Sequence, residues 1–255
     1  MGNKSFINYF TNNRNTFEGF YPSERFIIDK IFSNTKISNV LDVGCACGGL
    51  YNALKNKYGE INYTGIEINQ NAASVAKAKY PNISIFNSDF NEFQLNNNTK
   101  YDIVFSLSCF DWNLGQTENI LESFYTMLNN SWSLVDNGGF LILSLRLDET
   151  DTIFDSNISY QYINYEGKLE GEIANYGILS INDCLSLLSK LEPKKILAKG
   201  FIGNPSKTAI TPKNELCFCV FAIQKLNDTE KIINIELEID ISEKFNLLFS
   251  KINQK

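Results

Sequence analysis

The chain has 255 residues, 44% of them hydrophobic and 20% charged, enough for one α/β domain with extra elements at its edges and too short for two full domains. A formal net charge of −6, with no basic run longer than Lys194-Lys195, argues against a nucleic-acid partner, because phosphate backbones are bound by clustered Lys and Arg. Six cysteines are too few for a disulfide scaffold of this size, and no apolar run reaches the roughly 18–20 residues of a membrane span.

In chain order, residues 1–16 are polar and lack the apolar core of a secretory signal, so a cytoplasmic location is expected. Two helices, over 4–14 and 23–32, make residues 1–36 an N-terminal helical cap. Short apolar runs then alternate with longer amphipathic ones, the pattern of β-α units around a parallel sheet. Strands are expected at 40–43, 61–67, 83–86 and 101–107, with helices at 50–58 and 71–80, the second stopped by Pro81. In the helix over 117–134, Leu121, Phe124, Leu128 and Trp132 recur at three- and four-residue steps and form an apolar stripe. Gly138-Gly139 opens a fifth strand, 140–145, apolar on consecutive positions as in a strand covered on both faces. These elements define a core over 37–147.

After Leu147 the pattern breaks. Residues 148–179 are polar and carry Tyr160, Tyr162 and Tyr165 at near-alternate spacing, which marks a substrate-side insertion. Ser180 caps a helix to about Glu192, and strands at 195–202 and 215–224, with Gly203, Asn204 and Pro205 between them, complete the core over 180–225 as a hairpin. The extension 226–255 holds a strand-like stretch and a short amphipathic helix without an assigned place.

The chemistry concentrates in Val40-Leu-Asp-Val-Gly-Cys-Ala-Cys-Gly-Gly-Leu50. A strand runs into a tight turn of small residues and a helix starts at once, which brings backbone N–H groups close to a nucleotide-like ligand. Read through Gly44, Ala46 and Gly49, the loop is a degenerate dinucleotide fingerprint. Read through Asp42, Gly44 and Gly48, it resembles motif I of the class I methyltransferases, with Ala46 where a second glycine is usual, a departure that a turn of negative φ tolerates. Asp42 separates the readings, because a carboxylate at the strand end repels a pyrophosphate and suits the ammonium of a methionyl group. Glu67, ending the second strand, suits two ribose hydroxyls in either reading, with Ile68 beside it for the adenine face.

Two further stretches carry the resemblance. Asn87-Ser-Asp-Phe90 resembles the family motif in which an acid, here Asp89, accepts from the adenine amine and the next residue, Phe90, covers the ring. Tyr101-Asp-Ile-Val-Phe-Ser-Leu-Ser108 resembles its fourth strand, whose end, near Ser106, lines the transfer site. The resemblance covers residues 38–146 well and extends more loosely to 224. It implies a Rossmann-like methyltransferase sheet, mostly parallel with an antiparallel C-terminal hairpin and helices on both faces. It also implies S-adenosyl-L-methionine as cofactor, with Gly44, Cys45 and Gly48 in the binding loop. Arg14, with Tyr9 and Tyr21, lies in the segment that covers the cofactor in many small-molecule members, where it would pair with the methionine carboxylate.

The acceptor side is less marked. There is no histidine, so the commonest general base is absent and Asp111, just past the fourth strand, becomes the candidate base; its alternative role is to cap a helix beginning near Gly115. The absence of Asn/Asp-Pro-Pro-Tyr there argues against methylation of nucleic-acid bases. Arg146 and the acids Asp148, Glu149, Asp151 and Asp155 follow the fifth strand, but their spacing matches no dedicated metal cage. The pairs Cys45/Cys47 and Cys217/Cys219 lie in the glycine turn and in an apolar strand, where Cys packs as a small hydrophobe. No metal site is assigned. The Tyr-rich insertion points to a sugar or polyol acceptor, O-methylated. The competing readings are N-methylation of a small amine, a nicotinamide-dependent oxidoreductase and a non-catalytic methyltransferase-like subunit.

Overall fold

The computed structural model describes residues 3–114, 117, 119–148, 157–163, 169–177, 179–191, 195–202, 209–210, 216–226 and 234–237. Ahead of the sheet lie α1 (Asn3–Asn12), a 3-10 turn (Phe17–Gly19) and α2 (Pro22–Phe32). Proline stands at the first turn of α2, and Glu24 reaches back to accept the Tyr21 N–H at 2.9 Å, both signatures of a helix start. The alternating units follow as β1 (Asn39–Val43), α3 (Gly49–Tyr58), β2 (Asn62–Ile66), α4 (Gln70–Lys79), β3 (Ser84–Phe86), α5 (Phe90–Leu95), β4 (Tyr101–Leu107), α6 (Phe110–Leu114), α7 (Ile120–Leu134) and β5 (Val135–Asp148). Beyond them come β6 (Asn157–Ile163), β7 (Leu169–Gly177), β8 (Leu179–Ser180), α8 (Ile181–Ser189), β9 (Lys195–Ile202), β10 (Ala209–Ile210), β11 (Leu216–Gln224) and β12 (Asn234–Leu237).

The main sheet runs β12-β9-β11-β5-β4-β1-β2-β3, with β8 beside the end of β5. Strands β1 to β5 pair in parallel, and β11 lies antiparallel between β5 and β9. This is the mostly parallel sheet with an antiparallel C-terminal pair that the motifs imply. Strand order reverses between β1 and β4, and such a switch point opens a ligand crevice at the carboxyl ends of the strands. One face is covered by α2, α3 and α4 over Ile103 and Phe105; the other by α5, α7 and α8 over Val104 and Leu141. Among the described residues no helix is long and apolar enough to cross a membrane.

Several boundaries differ from those expected. Strand β5 begins at Val135, so Gly138-Gly139 lies inside it. Gly138 has φ +78°, a Cβ on Gly139 would sit 2.7 Å from the Asp102 carbonyl, and the β4–β5 register shifts there, so the glycines make an irregularity rather than a strand start. In α7 the buried stripe is Ile120, Phe124, Leu128, Ser131 and Leu134, while Leu121 is 45% exposed. Ile120 is in phase with Phe124 and Leu128 at four-residue steps; Leu121 stands about 100° round the helix.

The β9–β11 pair is not a tight hairpin. Its connection carries β10, which pairs with β6, so the link and the insertion make a second sheet of order β10-β6-β7. Strand β7 packs against α6. In the extension, β12 adds to the sheet edge parallel to β9. The amphipathic helix expected there, Tyr165, and the acids Glu149, Asp151 and Asp155 lie outside the described residues.

Candidate active site

The loop after β1 is built from reversed backbone. Gly44 and Gly48 have φ +78° and +77°, and Ala46 has φ +47°. The negative φ expected at Ala46 is therefore corrected: the turn is sharp enough to place an L-residue in the left-handed region, at a typical cost of about 1–2 kcal/mol. Its hydrogen bonds hold it there. The Gly44 and Cys45 N–H groups both donate to the Ile66 carbonyl, at 2.9 and 3.0 Å, and the Ala46 N–H donates to Glu67 Oε2 at 2.9 Å.

Glu67 is buried, with Oε1 accepting from the Asn69 N–H at 2.8 Å. Burial pushes its carboxyl up and the backbone N–H groups act against that. Each oxygen has a second acceptor site, which suits a ribose hydroxyl. Ile68 beside it is 71% exposed, an apolar face open for a ring.

Asp42, on β1, is 4% exposed and accepts a hydrogen bond from the Tyr63 hydroxyl on β2. Burial raises its pKa to about 7; the Tyr63 hydrogen bond acts downward, the Glu67 charge adds to the rise, and Arg14 opposes it. Asp42 is thus a carboxyl poised between its charged and neutral forms at neutral pH.

Arg14 lies 7% exposed and pairs with fully buried Glu24, its Nη2 donating to both oxygens at 2.9 and 3.0 Å. Its guanidinium stands 4.5 Å from the Phe20 ring centre and 4.9 Å from that of Tyr21. Burial disfavours its charge, but the ion pair outweighs burial and holds the pKa above the ordinary value. Its Nη1 is buried with no hydrogen-bond partner among the described residues. Asp42 and Arg14 face one small cavity of about 30 Å3, shared with Phe10, Phe20, Gly44 and Leu107.

That volume is small, about the share of one water molecule in the liquid, and it lies beside the covering segment that carries Phe10 and Arg14. The segment is tied down: a Cβ on Gly49 would lie 1.8 Å from the Arg14 carbonyl, the Asn15 side chain accepts hydrogen bonds from Tyr80 and Lys79, and the Asn15 carbonyl accepts one from the Asn52 amide. An orphaned guanidinium nitrogen opposite a carboxyl fits the two charges at the amino-acid end of S-adenosylmethionine.

The other expected residues lie elsewhere. Cys45 borders the cavity, its side chain packs on Gly65 and burial pushes its thiol up. Gly48 turns the chain under the Tyr80 ring. Asp89 caps α5, accepting the Asn91 N–H at 2.8 Å, and Phe90 packs onto the core. Ser106 alternates with Leu107 along β4: Leu107 lines the cavity, while Ser106 is fully buried on the α7 face with its Oγ unpartnered among the described residues. Asp111 falls on α6, its side chain outside the described residues, and the cap of α7 is Asn119. A broader groove of about 310 Å3 between α7 and α8, lined by Leu121, Tyr125, Leu187 and Lys190, shares no residue with the glycine loop.

Four residues were not foreseen. Glu24 had a signal in the helix start Tyr21-Pro-Ser-Glu24; Tyr63 had none. Ser108, at the exit of β4, has φ +55°, donates its N–H to Ser144 Oγ at 2.6 Å and lies 3.3 Å from it through Oγ. This pins the turn that leads into Cys109, against which Gly44 packs.

Residues 40–131 match the family model of a methyltransferase domain. Curated proteins give no match by sequence. Among solved structures, an S-adenosylmethionine-dependent methyltransferase from Clostridium acetobutylicum is 15% identical, with 89% of this chain and 99% of that one covered at a TM-score of 0.59. The sugar N-methyltransferase KedS8 from Streptoalloteichus is 12% identical, with 89% and 93% covered and a TM-score of 0.54. CalS10, an amino pentose methyltransferase from Micromonospora echinaspora, is 11% identical, with 77% and 88% covered and a TM-score of 0.51. At such identities the likeness speaks for the fold, while the family match falls on the stretch that carries Asp42, Gly44, Glu67 and Asp89. Residues 40–131 are thus a methyltransferase domain, and the chain has the Rossmann-like fold of the S-adenosylmethionine-dependent methyltransferases.

Proposed function

We propose that this methyltransferase acts on a small molecule and transfers the methyl group to a hydroxyl of a sugar or polyol. The observation that carries the reading is the packing of β7 on α6. Helix α6 starts three residues after β4 ends and bears Asp111, so the insertion, with Tyr160 and Tyr162 on β6, comes to the acceptor side of the sheet. That KedS8 is named a sugar N-methyltransferase and CalS10 an amino pentose methyltransferase supports a sugar acceptor. The same two names favour a second reading, transfer to an amine.

When bound, the cofactor supplies an electrophilic methyl carbon on a sulfonium, open to in-line displacement. The residues of this chain bind and align it. In this reading Asp42 takes the ammonium, Arg14 the carboxylate, Glu67 the ribose, and Asp89 with Ile68 and Phe90 the adenine. The backbone of Gly44, Cys45 and Gly48 shapes the loop, and Phe10, Phe20 and Leu107 keep water out. Asp111 receives the hydroxyl proton, a contribution of about 10²–10⁴-fold. Ser106 is the weakest member of the set, since Leu107 stands at the cavity in its place.

The test is release of S-adenosylhomocysteine from S-adenosylmethionine with neutral sugars, polyols, amino sugars and simple amines as acceptors. Turnover with neutral sugars, slowed about a hundredfold in Asp111→Asn with unchanged cofactor affinity, is the expected result. Turnover with amino sugars alone moves the acceptor atom to nitrogen. Turnover confined to non-carbohydrate amines overturns the sugar reading.

A further inference from the structure

We propose that Tyr63 is a positioning residue for the cofactor: from β2 it donates its hydroxyl to Asp42 and holds that carboxylate, ionised, against the cavity that receives the methionyl ammonium. The proposal rests on the assignment of the ammonium to Asp42.

The geometry is specific. Tyr63 is 1% exposed, and among the described residues its hydroxyl is the only hydrogen-bond donor to the Asp42 side chain. The ring is fixed by its neighbours: Tyr51 packs on it with centroids 5.4 Å apart, Tyr80 packs edge-on to Tyr51 at 5.2 Å, and the Tyr80 hydroxyl reaches Asn15 of the covering segment. Parallel pairing places Val40 opposite Tyr63 and Asp42 opposite Gly65, so Tyr63 and Asp42 stand two residues apart in register on one face of the sheet. The phenol reaches along the strands to the carboxylate, while Cys45 and Ile85 fill the place beside Gly65.

The charges around Asp42 make the hydroxyl decisive. Glu67, at the end of β2, repels a negative Asp42, and the Cys45 thiol beside it is neutral. Arg14, from the covering segment, attracts it but is already paired with Glu24. Burial by itself drives the carboxyl toward its neutral form, which would leave nothing to hold an ammonium. The Tyr63 hydroxyl donates to the ionised form, and Tyr63 itself stays protonated because burial and the Asp42 charge raise its pKa.

Calorimetric titration with S-adenosylhomocysteine, between about pH 6 and about pH 9, tests this on the wild type, Tyr63→Phe, Asp42→Asn and the double variant. Wild-type affinity is expected to fall below a midpoint near 7, the ionisation of Asp42. Losing one hydrogen bond to a charged group corresponds to roughly tenfold, so Tyr63→Phe moves the midpoint up by about one pH unit. It then binds about tenfold more weakly at low pH and within about twofold of wild type at about pH 9. Asp42→Asn abolishes the pH step, and adding Tyr63→Phe to it changes affinity less than about twofold. Should Tyr63→Phe not fold, Tyr63→3-fluorotyrosine, a stronger donor at almost the same shape, is expected to move the midpoint down. An unmoved midpoint, or an equal loss at every pH that persists in the Asp42→Asn background, overturns the proposal. Wild-type affinity and pH dependence in Asp42→Asn removes the ammonium assignment, and the proposal with it.

Discussion

The two halves of the crevice are organised by different forces. At the ends of β1 and β2 the groups are ionisable and buried and answer one another across elements: Asp42 with Tyr63, Glu67 with the Ala46 N–H, Arg14 with Glu24. At the ends of β4 and β5 the buried polar groups are neutral hydroxyls, Ser106 unpartnered among the described residues and Ser144 holding the reversed Ser108. A buried charge sets a position for an opposite charge at a cost of several kcal/mol if left unmatched, while a hydroxyl sets shape and local geometry. On the proposed reading, the first half is organised for a ligand of fixed zwitterionic chemistry. On the same reading, the second leaves the choice of acceptor to α6 and to the hairpin of β6 and β7, whose second strand packs on α6.

The largest effect that could break this comparison concerns Arg14 and Glu24. Glu24→Ala leaves a buried guanidinium without its partner and is expected to destabilise the protein by about 3–5 kcal/mol, read from the denaturant midpoint. A loss below about 1 kcal/mol would mean that the charged half is not held by charge.

Asp42 gives the next effect, with a definite sign. Its folded pKa of about 7 stands above the ordinary 3.8, so the folded state keeps a proton that the unfolded chain has released. That stabilisation is present below pH 3.8 and is lost as pH rises through 7. It amounts to at most about 4 kcal/mol. Thermal unfolding without cofactor is therefore expected to weaken from about pH 5 to about pH 8 in the wild type, and much less in Asp42→Asn. Parallel profiles would refute a buried, proton-holding Asp42.

Gly49→Ala sharpens the comparison at smaller scale. The new Cβ meets the Arg14 backbone, which must shift. About 1–3 kcal/mol of stability is expected to go, with faster proteolysis before residue 20 and weaker S-adenosylhomocysteine binding. Unchanged proteolysis would show that the segment does not depend on this contact. Ser144→Ala should cost least, about 1–2 kcal/mol for the lost partner of the Ser108 N–H. It is expected to raise the acceptor KM while cofactor affinity stays; a loss of cofactor affinity instead would mean that the two halves are not separable.

What could be read beforehand followed sequence distance. Asp42, Gly44, Gly48 and Glu67 come from one β-α-β unit, where each strand ends on the same edge of a parallel sheet, so order and spacing suffice to bring them together. The pair of Arg14 and Glu24 joins two segments across a turn, and only the start of α2 was legible. Leu121 and Ile120 both continue the apolar pattern of α7, so spacing alone does not choose between them, and the phase is settled by what the sheet presents: Ile120 is buried and Leu121 exposed. Gly138-Gly139 reads as a strand start because glycine punctuates chains; that β5 continues through it depends on pairing with β4.

By itself the sequence determined the alternation of strands and helices, the parallel order of the first five strands and the acids at their ends, since periodicity and spacing are local and survive in one dimension. Tertiary structure decided the rest. Only folding reverses Ala46 to φ +47°, sets Tyr63 beside Asp42, and brings β10 to β6 to form the second sheet. These contacts join positions whose separation along the chain carries no period, and burial determines which polar groups must find one another.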